Sequence, residues 1–450
     1  MHLWSVSQSL LRMGHKVIIV THAYNDRNGI RYMTNGLKVY YIPLATIEDV
    51  FPTLHVDQVT IPSFHGILPI FRNILIRENI NIVHCHQACS SLTHECLLHA
   101  QTMGYTTVYT DHSLFSLNDL ASINLNKLLK FTLTTVDGAI CVSHTCRENL
   151  VIRASVRPDD VAVIPNAVDT VRFTPDLRVR NSLDPNVFHV IVISRLVYRK
   201  GVDLLVDIIP QVCARVDNVN FIIGGDGPKR LVLEEMVEKY ELDSRVKMLG
   251  QLTNRQVKET LVRGHIFLNC SLTESFCIAI LEAASCGLYV VSTSVGGIPE
   301  VLPDDMVTFA EKISAQSLTN ALLSALPLIK KVDPMEFHNR VKSMYHWRTV
   351  AERTSQVYDN LTKKEKKFLY EKLLIALKVG PVLGIIAMVL LAIDMVLVNL
   401  VEYFHPEGSM ERAKNFPIKL YAKSLKSIHM DEKSRKEIRV KKTAALQRRL

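Results

Sequence analysis

The sequence predicts an α/β protein in which two Rossmann-like domains face a cleft, followed by one C-terminal transmembrane helix. Three observations carry that reading. Apolar, β-branched runs of strand length alternate with helical patterns from Val17 to about Ala167. The alternation starts again after a Pro- and Asp-containing connector around Pro175 to Pro185. Near the end lies GPVLGIIAMVLLAIDMVLVNLV, Gly380 to Val401, flanked on both sides by lysines and arginines.

In the first half, VIIV, VYYIPL, INIVHCH, TTVYTDH and GAICVS read as strands, and SFHGILPIFRNILIREN and SLTHECLLHAQTMG as helices, the latter closing at Gly104. In the second half, HVIVIS, VNFIIGG, VKMLG, IFLNCS, YVVST and MVTFA are strands, separated by helices such as KRLVLEEMVEKYEL. Continuous apolar strands joined by helical crossovers imply parallel sheets covered on both faces. The expected boundaries are residues 1–175 for the first domain, 186–345 for the second, 346–362 for a crossover helix, 380–401 for the span and 405–450 for a basic tail.

The apolar segment of 22 residues is long enough to cross a hydrocarbon core of about 30 Å. Asp394 interrupts it, and a carboxylate near mid-bilayer costs roughly 3 kcal/mol. A buried core helix is the competing reading. Six lysines precede the segment within twenty residues and three Lys/Arg follow it, which favours a cytosolic main body.

The chain has 450 residues, 53 Lys+Arg, 44 Asp+Glu and a net charge of +9. That charge is not spread evenly. His405 to Leu450 carries 13 Lys/Arg against 5 Asp/Glu, and Lys363 to Lys378 carries 6 Lys against 2 Glu. Residues 1–362 sum to −1, which argues against a broad nucleic-acid-binding face on the folded part. The start, MHLWSVSQSLLRMGHK, lacks the apolar core of a signal peptide. Nine cysteines, odd in number and set in apolar stretches, suit a reducing compartment.

Ligands of parallel sheets sit at the carboxyl ends of the strands. After HVIVIS, Arg195 and Lys200 stand five residues apart in a loop feeding a helix, a charge pattern that suits a diphosphate and also occurs in solvated basic loops. After VNFIIGG, Gly225, Asp226, Gly227 and Pro228 form either a close approach to a nucleotide or an ordinary turn, with Pro228 able to open the next helix. After IFLNCS, Ser275 is expected to cap a helix that carries Glu282 in its third turn, with Glu274 at its mouth. Eight residues of helix rise about 12 Å, enough to separate the sugar from the ribose of a nucleotide-sugar. After YVVST comes the glycine-rich loop Gly296-Gly297-Ile298-Pro299-Glu300. In the first half, Asp111 and His112 end a strand, and a histidine there is structural or catalytic. The cluster of His84, Cys85, His86, Cys89, His94 and Cys96 has no paired C-x2-C, and a strand-then-helix split scatters its members, so no metal is expected.

Together, R-x4-K (Arg195, Lys200), GDGP (Gly225 to Pro228), Glu274 with Glu282, PNAVD (Pro165 to Asp169) and GGIPEVL (Gly296 to Leu302) resemble the retaining GT-B glycosyltransferases. More narrowly, GHKVIIVTHAY, YTDHSLF, VIPNAVD, SRLVYRKG, EAASCGL and VGGIPEVLP resemble the family of the catalytic subunit of phosphatidylinositol N-acetylglucosaminyltransferase, over roughly Met13 to Tyr358. The resemblance implies transfer of N-acetylglucosamine from UDP-GlcNAc to phosphatidylinositol, the first step of GPI-anchor biosynthesis, with retention and no cofactor or divalent metal. It implies a single-pass protein of the endoplasmic reticulum membrane with its catalytic domain cytosolic, in a complex with other subunits. It gives Arg195 and Lys200 the diphosphate, Glu282 the ribose and Glu274 the sugar hydroxyls. Backbone at Phe276, Cys277, Gly225 and Gly227 helps hold the donor, and His112 lies across the cleft. HWRTVAERTSQVYDNL resembles the helix that crosses back to the first domain. The family's first strand and Gly-Gly-x-Glu loop precede the helix that here reads LWSVSQSLLRMGHK, so the first domain is expected to lack that strand and loop. The alternatives are a truncated, non-catalytic form or subunit, and a related transferase with another lipid acceptor.

Overall fold

Among the described strands every pairing is parallel except one, β2 with β3. The computed structural model describes residues 2–33, 35–45, 62–63, 65–116, 119–365 and 368–415, so most of the expected basic tail lies outside the described residues. In chain order the elements are α1 (His2–Arg12), β1 (Ile18–His22), β2 (Gly29–Tyr32), β3 (Lys38–Ile42), α2 (Leu68–Arg77), β4 (Ile82–His86), α3 (Ser91–Thr102), β5 (Thr106–Asp111), α4 (Leu120–Leu133), β6 (Gly138–Cys141), α5 (His144–Ala154) and β7 (Val161–Val163). There follow α6 (Leu177–Asn181), β8 (Phe188–Ile193), α7 (Val202–Cys213), β9 (Val219–Gly224), α8 (Arg230–Lys239), β10 (Val246–Gly250), α9 (Asn254–Leu261), β11 (Ile266–Asn269), α10 (Ile278–Ser285), β12 (Tyr289–Thr293) and β13 (Val307–Ala310). The chain closes on five helices, α11 (Ala315–Ile329), α12 (Pro334–Met344), α13 (Trp347–Thr362), α14 (Leu369–Leu377) and α15 (Pro381–Phe404).

The chain divides into two compact units, Ser7–Ile80 with Asn399–Leu450, and Met1–Val6 with Asn81–Val398. The smaller one holds the sheet β1-β3-β2. Its β2 is exposed at every residue, which is why no apolar run announces it. Glu78, at the end of α2, is fully enclosed and bound by Lys16 at 2.8 Å and Lys38 at 2.7 Å. Burial opposes its charge, but those lysines and the Tyr40 hydroxyl hold its carboxyl below the usual range.

The larger unit holds two parallel sheets, a four-stranded one ordered β4-β5-β6-β7 and a six-stranded one ordered β10-β9-β8-β11-β12-β13. Their central strands bury Tyr109, Ile140, Val190, Ile191, Phe221, Phe267 and Val290. In the six-stranded sheet the chain runs outward from β8 in one direction and from β11 in the other. The order of connections therefore reverses between β8 and β11, and in open parallel sheets ligands bind at the carboxyl ends of the strands beside such a reversal. Helix α13 packs against the four-stranded sheet. Arg353 donates to the Val163 carbonyl at 2.7 Å, and Leu361 fills the space that a side chain at Gly138 would need.

Helix α15, 24 residues long, is long and apolar enough to cross a membrane. One stripe of it is nevertheless buried: Gly384, Ala387, Leu391 and Asp394, spaced to share a helix face. Ala387 and Leu391 pack with Leu98, Phe131, Leu373 and Ala376. The Asp394 carboxylate meets His99 Nδ1 of α3 at 2.7 Å, both side chains being fully enclosed. The mid-helix carboxylate is therefore enclosed against an imidazole of α3 rather than left as an isolated charge. Val382, Ile385, Val389, Ile393 and Val396 on the opposite side are exposed.

Candidate active site

On the six-stranded sheet the predicted residues converge at the place where strand order diverges. Lys200 ends a short 3-10 turn after β8, and Gly201 initiates α7 with φ +69°. A Cβ at Gly201 would lie 1.9 Å from the Cys270 carbonyl oxygen, so the β8 and β11 loops touch only because this residue is glycine. The Leu272 amide donates to the Arg199 carbonyl at 2.9 Å, closing the same seam. Across it the Lys200 ammonium pairs with the Glu274 carboxylate, which also accepts from the Ser271 hydroxyl at 2.9 Å. Arg195, in the loop that follows β8, is exposed.

Beneath Glu274 lies a closed polar network. Asn269 donates to Ser292 at 2.9 Å and Thr293 to the Ser271 carbonyl at 2.6 Å, while the single Ser271 hydroxyl proton is shared between Glu274 and Asn269 Oδ1, each 2.9 Å away. All four side chains are buried, so the loop carrying Glu274 rests on a fixed, satisfied base.

The glycines of GDGP are explained by packing between loops. A Cβ at Gly225 would meet the Ser194 carbonyl oxygen at 1.8 Å, and one at Gly227 the Leu196 carbonyl oxygen at 2.6 Å. Leu196 and Asp226 bind each other through backbone at 2.9 Å. Pro228 does not open the helix, which begins at Arg230.

Ser275 does not cap α10. The helix starts at Ile278, and its N-cap is Cys277 in the left-handed region at φ +61°. Ser275 instead donates from Oγ to the His112 carbonyl at 2.5 Å, because the chain must first cross to the four-stranded sheet before it can coil. Glu282 consequently stands in the second turn of α10 rather than the third. Its carboxyl is pushed up to about 7 by burial, with the nearby Arg172 guanidinium pulling the other way. Phe276 is buried and meets Tyr345 edge-on at 5.9 Å, and burial pushes the Cys277 thiol up to about 12.

His112 follows β5 on the four-stranded sheet, whose strand ends present a cluster of imidazoles. His112 Nε2 lies 3.1 Å from His86 Nδ1, and the two rings stack. His84 stacks on His86 and bridges the Tyr358 hydroxyl at 2.7 Å and the Thr110 hydroxyl at 2.6 Å. His2 meets His112 edge-on at 4.6 Å between ring centres, and Asn166 of the PNAVD loop hydrogen-bonds it. Burial, reinforced by neighbouring imidazoles, pulls His84 and His112 down to about 3 and His86 well below its ordinary value. His2 falls to about 4, again chiefly through burial. All four are therefore neutral near physiological pH. The loop that carries His112 is anchored by Asp111, which is buried in an ion pair with Arg153 and accepts from the Ser113 amide at 3.3 Å.

His2, His86 and His112 also offer three imidazole nitrogens within 4.8 Å of one another, a donor set that could take a transition metal. Of the histidines and cysteines that the sequence places in one cluster, His84 and His86 reach this site. His94 is bound away from it, to Thr132 at 2.8 Å and the Ala88 carbonyl at 2.7 Å.

Sequence reasoning finds the strand-end residues and misses three others. Arg172, beside Glu282, lies three residues beyond PNAVD and carries no motif of its own. His2 gains its place only through the fold, and Tyr358 only through the return of α13.

Residues 22–119 match the family model described as PIGA (GPI anchor biosynthesis), and residues 174–335 match glycosyl transferases group 1. The chain is 51% identical over 412 residues to a phosphatidylinositol N-acetylglucosaminyltransferase subunit from Arabidopsis thaliana, covering 92% of this chain and 90% of that one. It is 48% identical over 414 residues to the gpi3 subunit of the Schizosaccharomyces pombe enzyme, covering 92% and 88%. The Homo sapiens protein that shares its name with the Arabidopsis one is 47% identical over 418 residues, with coverage of 92% and 83%. Among solved structures, the fold resembles sucrose-phosphate synthase from Thermosynechococcus elongatus, with a TM-score of 0.65, 20% identity and coverage of 80% and 92%. It also resembles Anabaena HepE in complex with UDP, with a TM-score of 0.59, 15% identity and coverage of 79% and 96%. These likenesses establish the GT-B fold.

Proposed function

The chain belongs to the PIGA family of phosphatidylinositol N-acetylglucosaminyltransferase subunits, and on that premise we propose that it transfers N-acetylglucosamine from UDP-GlcNAc to phosphatidylinositol. The single observation that supports this most is the Lys200–Glu274 pair at the divergence of β8 and β11, joined through the Ser275 hydroxyl to the loop of His112. A donor diphosphate needs cations and free helix amides, and Arg195, Lys200 and the start of α10 supply both. Glu274 takes the sugar hydroxyls and Glu282 the ribose. Backbone at Phe276, Cys277, Gly225 and Gly227 lines the donor.

His112 approaches the sugar from the opposite sheet as a neutral, hydrogen-bonding imidazole. The reaction proceeds with retention and requires no resident metal, because the leaving diphosphate is stabilised by fixed cations and takes up the acceptor proton as its bond to the sugar breaks. The acceptor is a membrane lipid, and α15 with its basic flanks suits a protein held at the endoplasmic reticulum membrane, cytosolic domain outward, among further subunits.

Transfer of labelled N-acetylglucosamine to phosphatidylinositol in membranes tests the reading. Lys200→Ala is expected to cut transfer by about 10²–10³-fold, the scale seen when one group stabilising a developing charge is removed, and Glu282→Gln by about tenfold or more through the lost charge-assisted bond to the ribose. Full activity in both variants overturns it.

A further inference from the structure

The loop Gly296 to Glu300 follows β12, and its two glycines are explained by packing. A Cβ at Gly296 would lie 2.1 Å from the Glu274 carbonyl oxygen, and one at Gly297 would lie 2.2 Å from that of Ser275 and 2.6 Å from Ser143 Oγ. Glu300 has no such explanation. It is exposed, at the end of a 3-10 turn on the six-stranded sheet, yet its carboxylate is fully engaged by the four-stranded one. Oε2 accepts from the His144 amide at 2.6 Å. Oε1 accepts from the Thr145 amide at 2.9 Å and the Thr145 hydroxyl at 2.8 Å.

These two amides begin α5. First-turn amides of a helix have no acceptor within it and sit at its positive end, so a carboxylate from elsewhere is a charge-assisted partner. The neighbouring contacts cross in the same place. Ser143 Oγ donates to the Ser275 carbonyl at 2.6 Å, and Ser275 Oγ donates to the His112 carbonyl at 2.5 Å. Glu300 thus supplies a charge-assisted link in a short seam that brings the Glu274–Ser275 loop against the His112 loop.

We propose that Glu300 is a positioning residue, a latch that holds the two sheets closed over the site so that the donor groups and His112 act on one sugar. The assignment rests on the reading of this site as a donor and acceptor cleft. Glu300 touches no reacting atom; it sets the fraction of molecules in which both sides are assembled. Because Arg195, Lys200, Glu274 and Glu282 all stand on one sheet, loss of the latch leaves their affinity for a nucleotide intact and lowers turnover.

The test uses the detergent-purified complex carrying the full chain with Cys89→Ser, spin-labelled at Ile152→Cys on α5 and Ile313→Cys ahead of α11, both exposed. With UDP bound, the parent is expected to give one short-distance population, and Glu300→Ala to add a longer one. The same variant is expected to lower kcat about tenfold while the UDP dissociation constant stays within about twofold. Glu300→Gln, the same size without the charge, is expected to fall between, with the same melting temperature as the parent. An unchanged distance distribution in Glu300→Ala overturns the latch, as does a loss of UDP affinity equal to the loss of kcat. The distance measurement needs no acceptor, so it decides the latch even if transfer to phosphatidylinositol is absent from the parent itself.

Discussion

Beside the six-stranded sheet, Lys200 and Glu274 form an ion pair, whereas at the four-stranded sheet burial, with the neighbouring imidazoles, holds His84, His86 and His112 neutral, and burial does the same for His2 of α1. Lys200, Glu274, His86 and His112 all stand at or just beyond the carboxyl ends of parallel strands, so topology alone does not account for the difference. The charged side lies where the β8 and β11 loops meet and solvent still reaches the side chains. The uncharged side stacks its rings and pairs their nitrogens. The contrast suits a division of labour. A diphosphate is bound by fixed charge, while a hydroxyl acceptor is better met by neutral groups that donate or accept at a smaller desolvation cost than a charge.

The largest effect should come from disturbing the seam that brings the charged residues together. Gly201→Ala places a methyl against the Cys270 carbonyl in a left-handed backbone, and is expected to cost about 3 kcal/mol or more of stability. A fall in melting temperature with loss of UDP binding would show it. A variant as stable as the parent would mean the two loops are less closely fitted than the geometry requires.

A smaller effect separates Glu282 from its ionised neighbours. Its carboxyl is raised to about 7, so the folded state prefers it protonated. Its contribution to stability is therefore full below the unfolded value, near 4.5, and is lost as pH rises through about 7. Glu282→Gln removes that dependence. Its melting temperature should exceed the parent's at about pH 8 and match it at about pH 4, while UDP binding weakens. Equal melting temperatures at both pH values would place Glu282 in a more solvated setting than the structure gives it.

Much of this contrast is legible in the sequence. The strand-end positions of Arg195, Lys200, Glu274 and His112 follow from apolar runs that end in polar loops, because a parallel sheet leaves its carboxyl edge to ligands. What is not legible depends on contacts far apart in sequence. The stretch after Glu274 reads as a capped helix, yet Ser275 is drawn to His112, and Cys277 takes a backbone conformation that no local preference would choose. β2 is missed because it is wholly exposed, and β7 because three residues make too short a run. The Asp394–His99 pair is hidden for the same reason, since its partners are 295 residues apart. Neutrality of the histidines likewise arises from their packing.

The division between a charged donor side and a neutral acceptor side is tested most directly by UDP binding, measured by calorimetry, in Lys200→Ala and His112→Ala. Lys200→Ala should weaken UDP binding about tenfold or more, whereas His112→Ala should bind UDP like the parent while losing transfer. Equal weakening of UDP binding in the two variants would contradict the account.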